Sequence, residues 1–206
     1  MMLPGLDRCG NRARLDSVQA AGEPEVGPLG RRVMRRVLTR CIVREFRTAD
    51  AAALARHAND RDVWINLRDR FPFPYERADA EVYIRAIRAF EPQTSFALEV
   101  DGEAVGGIGI EVRPDVYRRS AEIGYWLGRA YWGRGIATEA VQEVSAWAFE
   151  RFDLCRLFAE VFAWNPASVR VLEKAGYIRE GCLRQSVTKD GRTIDAYLYA
   201  LVREAG

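Results

Sequence analysis

Residues 122–140 read EIGYWLGRAYWGRGIATEA. A strand-like run from Glu122 to Leu127 passes through Gly128, Trp132, Gly133, Arg134 and Gly135 into the apolar-periodic start of a helix at Ile136, Ala137 and Thr138. That order builds an anion site. The first N–H groups of a helix have no intrahelical acceptor, and the helix dipole favours negative charge beside them. Gly133 and Gly135 hold no Cβ, so a phosphate can approach the backbone closely. The chemistry implied is capture of a phosphate-bearing ligand, with Arg134 adding a cation. Glu122, upstream on the same strand, is a carboxylate able to take a proton from a reacting group. It is equally a charged residue on the solvent face of a strand.

Several ligands compete for such a loop. A nucleotide P-loop ends in Gly-Lys-Ser/Thr, and Gly-Ile-Ala-Thr138 lacks the lysine. A dinucleotide fingerprint needs a third glycine where Thr138 stands, within a regular βαβαβ repeat that is absent here. These residues alone leave the phosphate-bearing ligand unnamed, beside the alternative of a ligand-free strand-to-helix turn. Asn165, followed by Pro166, caps a helix, and Ser168 falls in its first turn. Both fit a structural role, and neither role excludes contact with a cofactor. His57 is the only histidine, which argues against Ser-His-Asp chemistry and His-rich metal sites; it reads as an ordinary surface residue and no metal is expected.

These residues need a scaffold. A chain of 206 residues, 49% hydrophobic, is enough for one domain with a sizeable core. Residues 1–37 lack sustained apolar periodicity and read as a flexible extension, with Met34 an alternative start; residues 38–206 form the single domain. Strands are expected over 41–46, 95–100, 103–112, 120–127, 156–163, 178–188 and 193–203. Helices are expected over 50–58, with Thr48 as cap, and over 77–90, 138–150 and 165–175. Asp101-Gly102 and Asp190-Gly191 mark hairpin turns. The order βααβββαβαββ describes a mixed α/β fold. Residues 59–75 form a long connection whose Asn66, Arg68, Asp69, Phe71 and Tyr75 could wall a substrate site. Asp69 or Asp195 could hold an ammonium; both also suit surface turns.

Net charge is +2, so bulk electrostatics point to neither nucleic acid nor membrane as partner. An Arg-rich stretch, Arg31 to Arg40, leaves an RNA-contacting arm as a rival idea. No apolar run reaches the length of a membrane span. Cys9, Cys41, Cys155 and Cys182 form no C-x-x-C, which suits reduced thiols and a cytoplasmic location.

The chain resembles the GNAT superfamily of acyl-CoA-dependent N-acyltransferases, in its ribosomal-protein N-acetyltransferase (RimJ/RimL-like) branch. The likeness rests on Trp132-Gly-Arg-Gly135-Ile-Ala137 in place of the family's Q/R-x-x-G-x-G/A loop. It is supported by Glu122–Leu127, Asn165-Pro-Ala-Ser168, Leu172–Tyr177, Glu180–Arg184 and Asp190–Asp195, in the family's order. The resemblance implies a mostly antiparallel sheet of about seven strands, flanked by about four helices and splayed between strands 120–127 and 156–163. It implies that acetyl-CoA is the acyl donor, with its pantetheine arm along Tyr125, Trp126, Leu127 and Gly128 and its diphosphate on Trp132 to Thr138, and that Asn165 is a cofactor contact and, with Glu122 and Ser168, a catalytic candidate. Glu122 becomes the candidate base, a backbone N–H near Leu127 the oxyanion donor, and Ser168 the group nearest the thiolate, since Leu172 stands where many members have a tyrosine. The implied reaction is direct transfer of acetyl to a primary amine, on a protein N-terminus or a small molecule. A non-catalytic acyl-CoA-binding module is the rival reading.

Overall fold

The computed structural model describes residues 34–203. Three-residue strands β1 (Arg35–Val37) and β2 (Ile42–Arg44) lead to helices α1 (Ala51–Ala58), α2 (Arg61–Trp64) and α3 (Arg77–Arg88). Strands β3 (Ser95–Val100), β4 (Glu103–Val112) and β5 (Ser120–Leu127) follow. The chain closes with α4 (Ile136–Arg151), β6 (Arg156–Phe162), α5 (Pro166–Lys174), β7 (Ile178–Lys189) and β8 (Arg192–Val202).

All the strands form one eight-stranded sheet in the order β1-β2-β3-β4-β5-β6-β8-β7. Asp-Gly pairs turn both tight hairpins, with φ of 51° and 81° at Asp101-Gly102 and 51° and 72° at Asp190-Gly191. Every neighbouring pair is antiparallel except β5 and β6, which run parallel. That one parallel contact covers only Ser120–Glu122 against Arg156–Phe158. Beyond it the strands diverge, and the sheet opens into two lips.

Helices pack on both faces. Val43, Phe96, Leu98, Ile108, Ile123 and Leu127 meet Ile136, Val141 and Val144 of α4 and Leu172 of α5 in the larger core. Ala97 and Ala104 meet Leu54 of α1, Ile84 of α3, Phe46 and Tyr75 on the other side. Burial on both faces explains why β3 and β4 read as nearly continuous apolar runs rather than alternating ones. Near this junction Arg44 is buried, bonded through Nη1 and Nη2 to both oxygens of Asp50 at 2.7 and 2.8 Å, and through Nε to Glu99.

The structure adds two elements to the expected order. β1 lies within the stretch read as an extension; its Arg-Arg-Val sequence carries no strand signature, and pairing with β2 supplies it. Residues 1–33 of that expected extension lie outside the described residues, and with them Arg31 and Arg32 of the Arg31–Arg40 arm. α2 is a single turn inside the expected connection, capped by Asp60, whose carboxylate accepts from the Asp62 N–H at 2.8 Å. Thr48 does not cap α1: Asp50 accepts from the Arg47 N–H at 2.7 Å, while the Thr48 hydroxyl accepts from Arg88.

Candidate active site

The open seam between β5 and β6 is where backbone polarity has no strand to meet. The Gly128 N–H donates to Val105 of β4 at 2.8 Å, so the Leu127 carbonyl across that peptide faces away from β4. Strand alternation turns the N–H groups of Leu127 and Tyr125 the same way, into the seam. The Leu127 carbonyl accepts from Trp132 Nε1 at 2.7 Å, which draws the glycine loop onto the end of β5. Gly106 of β4 permits this path: a Cβ there would stand 2.4 Å from the Trp126 carbonyl oxygen.

The loop itself has the form an anion requires. Gly133 and Gly135 sit at φ 73° and 78°, a left-handed conformation open to glycine. Gly135 is the N-cap of α4 and, having no side chain, gives that helix no side-chain cap. The N–H groups of Ile136, Ala137 and Thr138 therefore have no intrahelical acceptor. Arg134 lies over the Tyr131 ring, 5.2 Å from its centroid, and Trp132 is exposed. His57 supports the loop from below, contrary to its reading as an ordinary surface residue. Its ring meets Glu103 Oε1 at 2.8 Å and Tyr131 edge-on at 5.4 Å, and its Cβ lies 3.0 Å from where a Gly128 Cβ would be. Burial, and then the charge of Arg56, lower its pKa, so the imidazole is held toward its neutral form.

The two faces of β5 carry different chemistry. Glu122 and Trp126 share the face toward α1 and α3. Glu122 is mostly buried and ion-paired with Arg68, which the structure brings to it from the connection between α2 and α3. Phe71 stacks on Tyr75 at 4.7 Å and meets Trp126 edge-on at 5.5 Å, completing an aromatic wall beside the pair. Tyr75 is itself buried in the core, and Asn66 donates to the Asp62 carbonyl at 2.8 Å.

On the opposite face, Tyr125 reaches α5. Asn165 Oδ1 accepts from the Ser168 N–H at 3.1 Å, so the expected cap is present. The Ser168 hydroxyl is 2.8 Å from the Tyr125 hydroxyl. Burial raises the Tyr125 phenol pKa against the opposing Ser168 hydrogen bond, so the phenol stays protonated and able to donate. Tyr177 packs in the core, with its hydroxyl 2.8 Å from Ser145.

The two candidate ammonium-binding carboxylates are already occupied. Asp69 pairs at 2.7 Å with Lys189, whose ammonium also lies 3.7 Å from the Trp64 ring centroid. Asp195 accepts from the Gln185 N–H at 2.8 Å and faces the Cys182 thiol at 3.6 Å, within the β7–β8 hairpin. No group of three or more metal-ligating side chains occurs among the described residues, and no described helix is long and apolar enough to cross a membrane. Sequence reasoning missed Arg40, which lies against Gly135, and Lys189, because their partners Glu139 and Asp69 are 99 and 120 residues away.

Residues 40–178 match the family described as "Acetyltransferase (GNAT) domain". The chain is 32% identical to an uncharacterized N-acetyltransferase, p20, of Bacillus licheniformis, over 80% of this chain and 93% of that one. It is also 32% identical to the ribosomal-protein-serine acetyltransferase of Escherichia coli, over 52% of this chain and 59% of that one. Among solved structures, Mycobacterium smegmatis RimJ in complex with CoA-disulfide superposes with a TM-score of 0.71 at 28% identity, covering 82% of this chain and 86% of that one. A splayed mixed sheet, a glycine loop opening α4 and these matches lead to one assignment: the chain belongs to the GNAT family of acetyltransferases.

Proposed function

We propose that the protein transfers an acetyl group from acetyl-CoA to a primary amine, by direct attack while both substrates are bound. The observation that carries this reading is the seam between β5 and β6, with the uncapped start of α4 at its end. Unpaired strand N–H groups suit the amide-bearing arm of acetyl-CoA, as they would an added strand. The first turn of α4 suits its diphosphate. The fit is one of donor type and room: seam N–H groups, left-handed glycines and uncapped helix N–H groups lie in succession.

The residues then divide the work. Leu127 N–H faces the seam, where it can stabilise negative charge developing on the acetyl oxygen. Amines with pKa values of about 8 to 10 are mostly protonated at neutral pH. Glu122 is the group placed to take that proton, directly or through water, once Arg68 has moved from the carboxylate. Ser168, backed by the Tyr125 phenol, is placed to return a proton to the departing sulfur. The wall of Arg68, Phe71 and Trp126 faces the amine. Relatives named as ribosomal-protein acetyltransferases support a protein N-terminus as acceptor; small amines suit the same wall. Free thiols at Cys41, Cys155 and Cys182 suit a reducing compartment, and we place the enzyme in the cytoplasm.

The Arg68–Glu122 ion pair favours one other reading, an acyl-CoA-binding module whose carboxylate is structural. Release of free CoA thiol with a panel of N-terminal peptides and small amines separates the two. Turnover with any amine establishes the transferase. Binding of acetyl-CoA without thiol release across the panel supports the module, and no binding at all removes both.

A further inference from the structure

The turn between β1 and β2 brings a cation to a place where a helix dipole alone would repel it. The N–H groups of Thr39 and Arg40 donate to the two carboxylate oxygens of Glu139, at 3.0 and 2.9 Å, which fastens this turn to the first turn of α4. The Arg40 side chain then crosses Gly135. A Cβ at Gly135 would lie 3.0 Å from Arg40 Nε and 3.3 Å from its Cδ. The guanidinium thus stands at the positive end of a 16-residue helix. Its ion-pair partner among the described residues is Glu139, at a long 3.9 Å, and that carboxylate already accepts from two backbone N–H groups. The Arg40 side chain is 53% exposed. An anion lying between guanidinium and helix turns this repulsion into attraction on both sides.

We propose that Arg40 is a phosphate-binding residue of the donor site. Its planar fork and the first-turn N–H groups of α4 close on a phosphate of the donor from opposite sides. This rests on the acetyl-CoA reading above. Arginine suits the task because its parallel N–H donors match phosphate oxygens. Arg134, the other arginine at the loop, is drawn over Tyr131 instead. Coenzyme A offers two such groups, the diphosphate and the ribose-borne phosphate, and the chemistry of recognition is common to both.

Titration calorimetry of the whole chain with coenzyme A and with 3′-dephospho-coenzyme A tests this, using wild type, Arg40→Gln and Arg40→Lys. Loss of a charge-assisted contact should weaken coenzyme A binding about ten- to hundredfold in Arg40→Gln. Arg40→Lys, which keeps the charge but not the fork, should bind more tightly than Arg40→Gln and less tightly than wild type. An equal penalty with the dephospho ligand assigns the contact to the diphosphate, and a vanished penalty assigns it to the ribose phosphate; either supports the proposal. The backbone anchor to Glu139 does not use the side chain, so both variants should melt with wild type. If Arg40→Gln melts early, Arg40→Lys alone decides. Wild-type affinity in a variant of unchanged melting overturns the role of Arg40. Failure of wild type to bind either ligand overturns the donor site itself.

Discussion

In the proposed mechanism, Glu122 must leave the partner that holds it, Arg68. Its ion pair with Arg68 keeps the carboxylate facing the connection that walls the site. Replacing Glu122 with Gln keeps the shape and removes the proposed proton acceptor. Turnover should fall by about 10²–10⁴-fold at neutral pH, with acetyl-CoA affinity nearly unchanged. The deficit should shrink as pH rises toward the amine's own pKa, because the free amine then needs no base. A pH-rate profile parallel to wild type would remove Glu122 from the mechanism. Cys41 gives a second residue-scale expectation. Burial, reinforced by the Glu139 charge, pushes its thiol up to about 12. It should resist iodoacetamide in the native protein while exposed Cys182 reacts, as peptide mass spectrometry would show.

At the scale of elements, the β7–β8 hairpin straps down the connection that carries Arg68. Lys189 is buried, yet its ammonium reaches exposed Asp69 and the Trp64 ring, and beside it Asp190 pairs with Arg61 at 2.5 Å. Replacing Lys189 with Met keeps the packing and cuts the strap. The KM for the amine should rise severalfold while the KM for acetyl-CoA stays put. Asp69→Asn, which strands a buried ammonium, should lower Tm more than Lys189→Met. An unchanged Tm in Asp69→Asn would show that Asp69 contributes nothing to holding Lys189. Neither strap nor Arg40 contact was legible in the sequence, because each joins segments about a hundred residues apart through unremarkable surface residue types. The glycine turn that opens α4 and the Asn165 cap of α5 were legible, since each is set by neighbouring residues. β1 and α2 escaped for a different reason: three and four residues are too few to display a period.

For the molecule as a whole, the two cores meet the sheet from opposite sides, and Arg44 ties β2 to β3 and to the approach to α1 near one edge. Arg44→Ala leaves the carboxylates of Asp50 and Glu99 buried without their shared cation. Such a break costs about 3–5 kcal/mol, read as a lower denaturation midpoint at unchanged m-value. A loss under about 1 kcal/mol would mean that water or Arg47 takes over the pair.

Three rungs of parallel pairing leave the middle of an eight-stranded sheet behaving, locally, like an edge. Central amides normally exchange deuterium only on global opening, but those of Tyr125 and Leu127 have no strand acceptor among the described residues and should label within the fraying regime. Saturating coenzyme A should slow exactly this pair along with the amides of residues 136–138, drawing the ligand's outline as a deuterium footprint.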